Sequence, residues 1–229
     1  MNKIVVDFET YFDKTYSLKK MNQLLYVRDS RFKIFGAGVS TNGCKAEWVT
    51  DMEMLHSHIM DMRPAVIIGH NLFFDGLILV ERLGIPRDGV TWRDTLAMAR
   101  AVINSESHSL AALSKGSNAV KMAMPDVCGK TELSATEMEA LAAYCLADVN
   151  ATQALYNRLI EGYPESELEL IDLVIEMGVR AKLELNKPML ELAIDEAKTE
   201  RESCIKAAGI SEKILASNQQ FARHLISLG

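Results

Sequence analysis

The sequence lacks the features that mark membrane-spanning, secreted or nucleic-acid-coating proteins. It has no long uninterrupted apolar run and no signal-peptide pattern at its start, so neither a membrane partner nor secretion is expected. Its four cysteines are scattered, with no Cys-x-x-Cys pair, which predicts reduced thiols in an intracellular, cytoplasmic protein and argues against a disulfide framework or a zinc site. Lys and Arg total 25 against 31 Asp and Glu, a net charge of −6. This charge argues against a protein that coats nucleic acid through a broad basic surface, but it is compatible with an enzyme that holds nucleotides through bound cations.

The order of the predicted elements is typical of an α/β domain. Short apolar runs predict five strands at residues 3–6, 32–40, 46–49, 65–68 and 91–93. Helical patterns occupy residues 52–62, 74–83, 95–103, 109–114 and 134–160, the last opened by a Ser134 to Glu137 capping box. This order predicts a mixed five-stranded sheet flanked by helices. The Gly162-Tyr163-Pro164 sequence predicts a domain boundary, which divides the chain into residues 1–162 and a helical segment, 163–229.

Two acids end the first predicted strand. Asp7 and Glu9 are one residue apart, so their carboxylates lie on the same face of the strand. Like charges on one face repel each other, and a cation between them would relieve the repulsion. The ordinary alternative is a solvated strand end.

A third acid, Asp75, falls in the first turn of the helix after the fourth strand. An acid at this position is favoured by the helix dipole alone, which is the simpler explanation. If the first and fourth strands are parallel neighbours, however, their carboxyl ends lie at the same edge of the sheet, where open α/β sheets bind ligands. Asp7, Glu9 and Asp75 would then converge.

A fourth acid lies in the middle of an apolar helix stripe. Asp148 shares the core-facing line of the long helix with Leu141, Cys145, Thr152, Leu155 and Leu159. A carboxylate there is costly unless it is paired with Lys or Arg or bound to a metal. Tyr144 precedes it by one turn on the same face, where a packed core aromatic is the alternative interpretation. Four carboxylates without a His or Cys cluster favour two Mg²⁺ or Mn²⁺ ions and phosphoryl-transfer chemistry.

These residues resemble the motifs of a known family. Asp7-x-Glu9, Asn71-x-x-Phe74-Asp75 and Tyr144-x-x-x-Asp148 are similar to the three motifs of the DEDDy 3′–5′ exonucleases. Their order and spacing resemble the proofreading domain of family A DNA polymerases of the polymerase I type, particularly the phage members. Asp94-Thr95 and the segment 108–113 also resemble this branch. Ala143 occupies the position where the histidine-dependent branch has its histidine.

The resemblance implies a fold, a reaction and a set of roles. It implies a ribonuclease H-like fold and two divalent cations, Mg²⁺ or Mn²⁺, that are bound by the four acids. Tyr144 would orient the attacking water. The terminal nucleotide would contact residues that lie in or directly beside these motifs, namely Phe8, Thr10, Asn71 and Phe74. The implied partner is the 3′ end of single-stranded or frayed DNA, and the phage-like character suggests a protein acting in a host cytoplasm.

The region after Ser166 resembles the segment that joins exonuclease and polymerase in the same family. The matching stretches are residues 186–189 and 217–221. No polymerase catalytic signature is found, so we expect a polymerase domain that is missing from this chain, through a split gene or truncation. Two alternatives stay open: a ribonuclease D-like exonuclease that trims RNA 3′ ends, and an inactive nucleic-acid-binding module. Lys115, Lys121 and Lys130 would contact phosphates or simply belong to a solvated loop.

Overall fold

A computed structural model describes residues 1–114, 122–180 and 185–229. The chain divides into two compact units, Met1–Ala181 and Lys182–Gly229. Among the described residues, no helix combines the length and the apolar character needed to cross a membrane.

The first unit is built on a mixed sheet of five strands, as predicted. The strands are β1 (Asn2–Thr10), β2 (Ile34–Thr41), β3 (Glu47–Val49), β4 (Ala65–Gly69) and β5 (Val90–Asp94), in the order β3-β2-β1-β4-β5. The first three strands form an antiparallel meander, whereas β1, β4 and β5 run parallel. Ile4 pairs with Ile67, and Val5 with Ile68. The carboxyl ends of the three parallel strands therefore lie at one edge.

Seven helices of the first unit surround this sheet in the part of the chain that the structure describes. They are α1 (Gln23–Arg28), α2 (Met52–Asp61), α3 (Phe73–Glu81), α4 (Thr95–Val102), α5 (Leu110–Leu113), α6 (Ala135–Ile160) and α7 (Glu165–Val179). The predicted capping box is present, since Ser134 and Glu137 satisfy each other's backbone N–H groups at the start of α6. The six-residue α1 has no counterpart among the predicted elements.

The alternation of β1 separates the core into two layers. Ile4, Val6 and Phe8 belong to one cluster of buried side chains, and Val5 belongs to the other. Helix α6 packs across β1 and β2. Gly38 of β2 permits this approach, because a Cβ there would lie 2.8 Å from Val149 Cγ2 and 3.0 Å from Cys145 Sγ. The absence of a side chain on β2 thus brings α6 close to the end of β1.

Helix α7 belongs to the first unit, which therefore extends past the predicted boundary at residue 162. The Trp92 backbone N–H donates to Asp172 Oδ1 at 2.6 Å, and its indole Nε1–H donates to Glu176 Oε2 at 2.9 Å. These bonds fasten α7 to β5. The division into 1–162 and 163–229 is consequently not the division into compact units, because the first helix after Pro164 completes the sheet domain.

The second unit contains three helices, α8 (Lys187–Ala208), α9 (Glu212–Leu215) and α10 (Asn218–Ser227). Asn186 caps α8 by accepting the Met189 N–H at 3.2 Å. Gly209 ends α8 in the left-handed conformation at φ 68°, and Ser217 caps α10. Each of these helix limits is set by a residue type that favours it, namely Asn or Ser at a helix start and Gly at a helix end.

Candidate active site

The end of β1 carries two of the four predicted acids, side by side. Asp7 lies opposite Gly38 of β2, and Glu9 lies opposite Gly36. Ligand atoms of Asp7, Glu9 and Cys145 all lie within 4.8 Å of one another. Glu9 is 8% exposed, so the alternative of a solvated strand end does not hold for it.

Asp75 joins this pair from the first turn of α3. Its Oδ1 accepts the backbone N–H of Phe8 at 3.0 Å, which fixes the carboxylate against the residue between Asp7 and Glu9. The side chain is buried, and burial raises the pKa of Asp75 well above its ordinary value; the negative charge of Asp7 raises it further. Helix-dipole stabilisation alone therefore does not account for this acid.

Asp148 and Tyr144 reach the same edge from α6. Asp148 is buried and lines a groove with Asp7. Tyr144 is hydrogen-bonded to Asp148, and it interacts electrostatically with Glu9 and Asp7. Burial is the largest cause that raises the pKa of Tyr144, followed by the charge of Asp148, so its phenol is protonated at neutral pH. The four acids and Tyr144 are thus brought together by three elements.

The donor set fits hard divalent cations. Four carboxylates crowd a largely buried volume, and oxygen ligands of this kind suit Mg²⁺ or Mn²⁺. Asp75 in particular carries an electrostatic penalty that a bound cation would remove.

The contact between Cys145 and Asp7 was not predicted from the sequence. Its thiol donates to the Asp7 backbone oxygen at 3.3 Å and to Asp7 Oδ2 at 3.4 Å. Burial, and then the charges of Asp7 and Glu9, raise the pKa of this thiol, so it is a neutral donor and not a thiolate ligand. The apolar stripe of α6 predicted that Cys145 faces the sheet, but not that it meets Asp7.

Three of the predicted substrate-binding residues line one groove beside Glu9, with a cavity volume of about 560 Å³. Phe8 is 5% exposed and contributes mainly to the core. Thr10 Oγ1 and Tyr26 Oη are 2.9 Å apart, and the Phe74 ring lies 5.7 Å from the Tyr26 ring. The structure therefore places Phe8, Thr10 and Phe74 together.

Asn71 lies in a different groove, of about 700 Å³, together with Asp7 and Asp148. Its φ of 66° is left-handed, and its N–H donates to Asp94 Oδ1 at 2.8 Å. Asp94 also caps α4 by accepting the Leu96 N–H at 3.0 Å. Asn71 is thus held at the site, but apart from the other three predicted contact residues.

The second groove also contains residues that the sequence prediction missed. His70 Nδ1 lies 3.0 Å from Thr95 Oγ1, and its Nε2 lies 3.1 Å from the His108 backbone oxygen. Arg100 supplies an exposed cation to the same groove. The position of His70, directly before the motif residue Asn71, was the sequence signal that could have identified it.

The lysines proposed for the loop after α5 are not brought together by any described contact. Lys130 donates to Glu137 Oε1 at 2.6 Å, so it is engaged in an ion pair at the start of α6. Lys115 and Lys121 lie outside the described residues.

Comparison with known proteins assigns the family. The family model described as 3′-5′ exonuclease matches residues 39–162. The chain belongs to this exonuclease family. Members of the family use divalent metals, in agreement with the carboxylate donor set. The match begins after β1 and so does not include Asp7 and Glu9, whose place beside the other acids comes from the sheet geometry. None of the curated proteins matches the sequence.

Two solved structures illustrate the shared fold. Brucella melitensis NrnC bound to pGG is 15% identical, with a TM-score of 0.51 over 77% of this chain and 81% of that one. Escherichia coli RNase D, an exoribonuclease involved in structured RNA processing, is 15% identical, with a TM-score of 0.52 over 78% of this chain and 45% of that one. At these identities the similarity shows the fold alone, an α/β exonuclease sheet with flanking helices.

Proposed function

We propose that this exonuclease removes nucleotides from the 3′ end of single-stranded or frayed DNA in a proofreading type of reaction. The observation that carries the proposal is the convergence of Asp7, Glu9, Asp75 and Asp148 beside Tyr144, at the carboxyl edge of a sheet in a 3′–5′ exonuclease. This set of residues is complete, which speaks against an inactive binding module.

The proposed roles follow from the surroundings of each residue. The four acids would hold two cations, Mg²⁺ or Mn²⁺. When bound, such cations lower the pKa of the attacking water and stabilise negative charge on the leaving 3′ oxygen. Tyr144, a neutral phenol next to Asp148, orients the attacking water by a hydrogen bond and does not act as its base. Cys145 holds the Asp7 carboxylate in place.

The terminal nucleotide is proposed to lie in the groove of Phe8, Thr10 and Phe74. Aromatic and apolar side chains of this kind bind the face of a base without reading its identity. The Thr10 hydroxyl supplies a polar contact for the sugar. Asn71 would contact the strand in the other groove, which Asp7 and Asp148 also line.

DNA is the first candidate substrate because residues 186–189 and 217–221 resemble the segment that joins exonuclease to polymerase. A polymerase domain on another chain is the corresponding proposed partner. RNA is the second candidate, favoured by the fold shared with RNase D. The site itself contains the same acids in either case.

The test is digestion of matched DNA and RNA oligonucleotides that carry a 5′ label. A ladder of shortened products in Mg²⁺ or Mn²⁺, absent in EDTA and absent for Asp7→Ala, is expected. Asp88→Asn, which changes an exposed acid outside the site, should leave the ladder intact. Failure of the folded wild-type protein to digest either strand would refute the proposal, and faster digestion of RNA would replace the first candidate by the second.

A further inference from the structure

The groove beside Glu9 combines an apolar floor with a cationic rim. Apolar side chains from four different segments form its floor: Phe8, Phe12, Leu18, Phe74 and Met124. Three exposed lysines of the segment after β1 line the same groove: Lys14, Lys19 and Lys20. We call this feature the lysine-rimmed groove. It has one face suited to apolar rings and another suited to anions.

The segment that carries these lysines is held in place by its own aromatic core. Tyr16 is fully buried, its ring stacks on Tyr26 at 4.3 Å, and its hydroxyl donates to the Tyr26 backbone oxygen at 2.7 Å. The Ser17 backbone oxygen accepts the N–H groups of Lys20 and Met21 at 2.9 and 3.1 Å. The backbone that carries Lys19 and Lys20 is therefore held in an ordered turn.

The three lysines of this rim outnumber the two acids, Glu9 and Asp13, that line the same groove. The Asp13 carboxylate accepts from the Thr15 hydroxyl, from the Thr15 and Tyr16 N–H groups and from the Tyr11 hydroxyl. These donors, the Thr15 hydroxyl first, hold the pKa of Asp13 well below its usual range, so Asp13 is ionised and offsets part of the lysine charge. Within residues 1–114, 122–180 and 185–229, the structure contains no ion pair that involves Lys14, Lys19 or Lys20.

We propose that the lysine-rimmed groove is the docking surface for a single nucleic-acid strand, with bases on the apolar floor and backbone phosphates on Lys14, Lys19 and Lys20. A single strand is required because only unpaired bases offer their faces to apolar side chains. In a chain with a net charge of −6, a local excess of lysines over acids in this groove attracts backbone phosphates. The inference rests on the proposed function and adds the residues that set strand affinity.

The first experiment measures binding without cleavage. In an Asp7→Ala background, Lys19→Gln/Lys20→Gln is compared with Lys3→Gln/Lys45→Gln, which removes the same charge from exposed lysines outside the groove. Fluorescence anisotropy with a labelled single-stranded oligonucleotide gives Kd at several salt concentrations. Each lost phosphate contact lowers the salt slope by roughly 0.7. Between 50 and 200 mM salt, the factor by which Kd increases should therefore be about sevenfold smaller for the groove pair than for its parent.

The outcomes of this experiment separate the two proposals. A weaker Kd and a smaller salt slope for the groove pair, with parental values for the control pair, support the docking surface. Equal Kd values for both pairs overturn it, and an acidic protein becomes the better occupant of the rim. If lysine-dependent binding is found while the wild-type chain digests nothing, the exonuclease proposal fails and the docking surface stands.

The second experiment uses cysteines that the chain already contains. Cys128 is exposed and lines the lysine-rimmed groove, whereas exposed Cys44 lines a separate pocket with Val39 and Thr41. A bound strand should slow alkylation of Cys128 by N-ethylmaleimide and leave the rate at Cys44 unchanged, as measured by mass spectrometry of the peptides. Unchanged alkylation of Cys128 at a saturating strand concentration would overturn the assignment.

Discussion

Replacement of Asp75 by Asn should stabilise the metal-free protein. Asn retains an oxygen that can accept the Phe8 N–H, which Asp75 accepts at 3.0 Å, but it carries no charge to oppose Asp7. Asn also avoids the larger penalty, which is the burial of a charged carboxylate, and repulsion from Asp7 adds to it. For scale, two unit charges about 4 Å apart repel by about 4 kcal/mol at an effective dielectric constant of about 20. A net gain of about 1–3 kcal/mol corresponds to a rise in Tm of roughly 2–12 °C for a domain of this size.

Divalent cations should reverse the order of stability. Wild-type protein at a Mg²⁺ concentration near 100 times its Kd gains about 2.7 kcal/mol, because the cation binds only the native state. Asp75→Asn has lost one carboxylate ligand and should gain much less. In scanning fluorimetry, Asp75→Asn should therefore have the higher Tm in EDTA, and the wild-type protein should have the higher Tm in excess Mg²⁺. Asp88→Asn, an exposed acid outside the site, serves as the control and should follow the wild-type protein in both conditions.

The stability difference between Asp75→Asn and the wild-type protein in the absence of metal should depend on pH. Because the folded-state pKa of Asp75 is raised, its burial imposes a penalty that appears as pH rises above the unfolded-state value of about 4. Below that pH the carboxyl is neutral in both states, so the difference between Asp75→Asn and wild type should vanish. A variant that melts below the wild-type protein in EDTA at pH 7 would refute the reasoning and return Asp75 to the status of an ordinary helix-terminal acid.

Substitutions at three further residues test other parts of the structure. Tyr144→Phe should slow digestion by roughly 10²-fold or more while Mn²⁺ affinity stays unchanged, and equal loss of both would contradict its role in orienting water. Cys145→Ala should raise the Mn²⁺ concentration needed for half-maximal activity several-fold, whereas Cys145→Ser, which keeps a donor toward Asp7, should restore it; identical behaviour of the two variants would exclude a positioning role. The pKa of Glu137 is lowered to about 2, first by the ion pair with Lys130, so its stabilising effect is complete above about pH 4.5 and is lost as pH falls toward 2. Glu137→Gln should remove that part of the acid transition, as followed by circular dichroism.

Much of the fold could be predicted because its signals are local. The strand 65–68 is a continuous apolar run, as expected for a strand covered on both faces, and it lies in the centre of the parallel part of the sheet. Ser134, Asn186 and Ser217 signal helix starts through their own side chains. The role of α7 was not predictable in this way, because its attachment depends on hydrogen bonds from Trp92 to acids some 80 residues later.

The convergence of the acids was predictable for a topological reason. Once β1 and β4 are parallel neighbours, Asp7 and the helix after β4 must meet at one edge, and Asp75 is the acid in its first turn. Periodicity also placed Asp148 toward the sheet. Periodicity does not specify which strand residue a helix residue meets, however, so the contact of Cys145 with Asp7, 138 positions apart, required the three-dimensional structure.

Asn71 and Phe74 show why a motif does not by itself define a binding surface. They are three residues apart, yet Asn71 takes a left-handed backbone conformation with its N–H bound to Asp94, whereas Phe74 already belongs to the first turn of α3. The two side chains line different grooves, Asn71 with Asp7 and Phe74 with Glu9. Both grooves therefore border the end of β1, where ligand atoms of Asp7 and Glu9 lie within 4.8 Å of each other. We expect a strand that occupies both grooves to contact Asn71 and Phe74 at different points, and the spacing of a sequence motif cannot reveal that division.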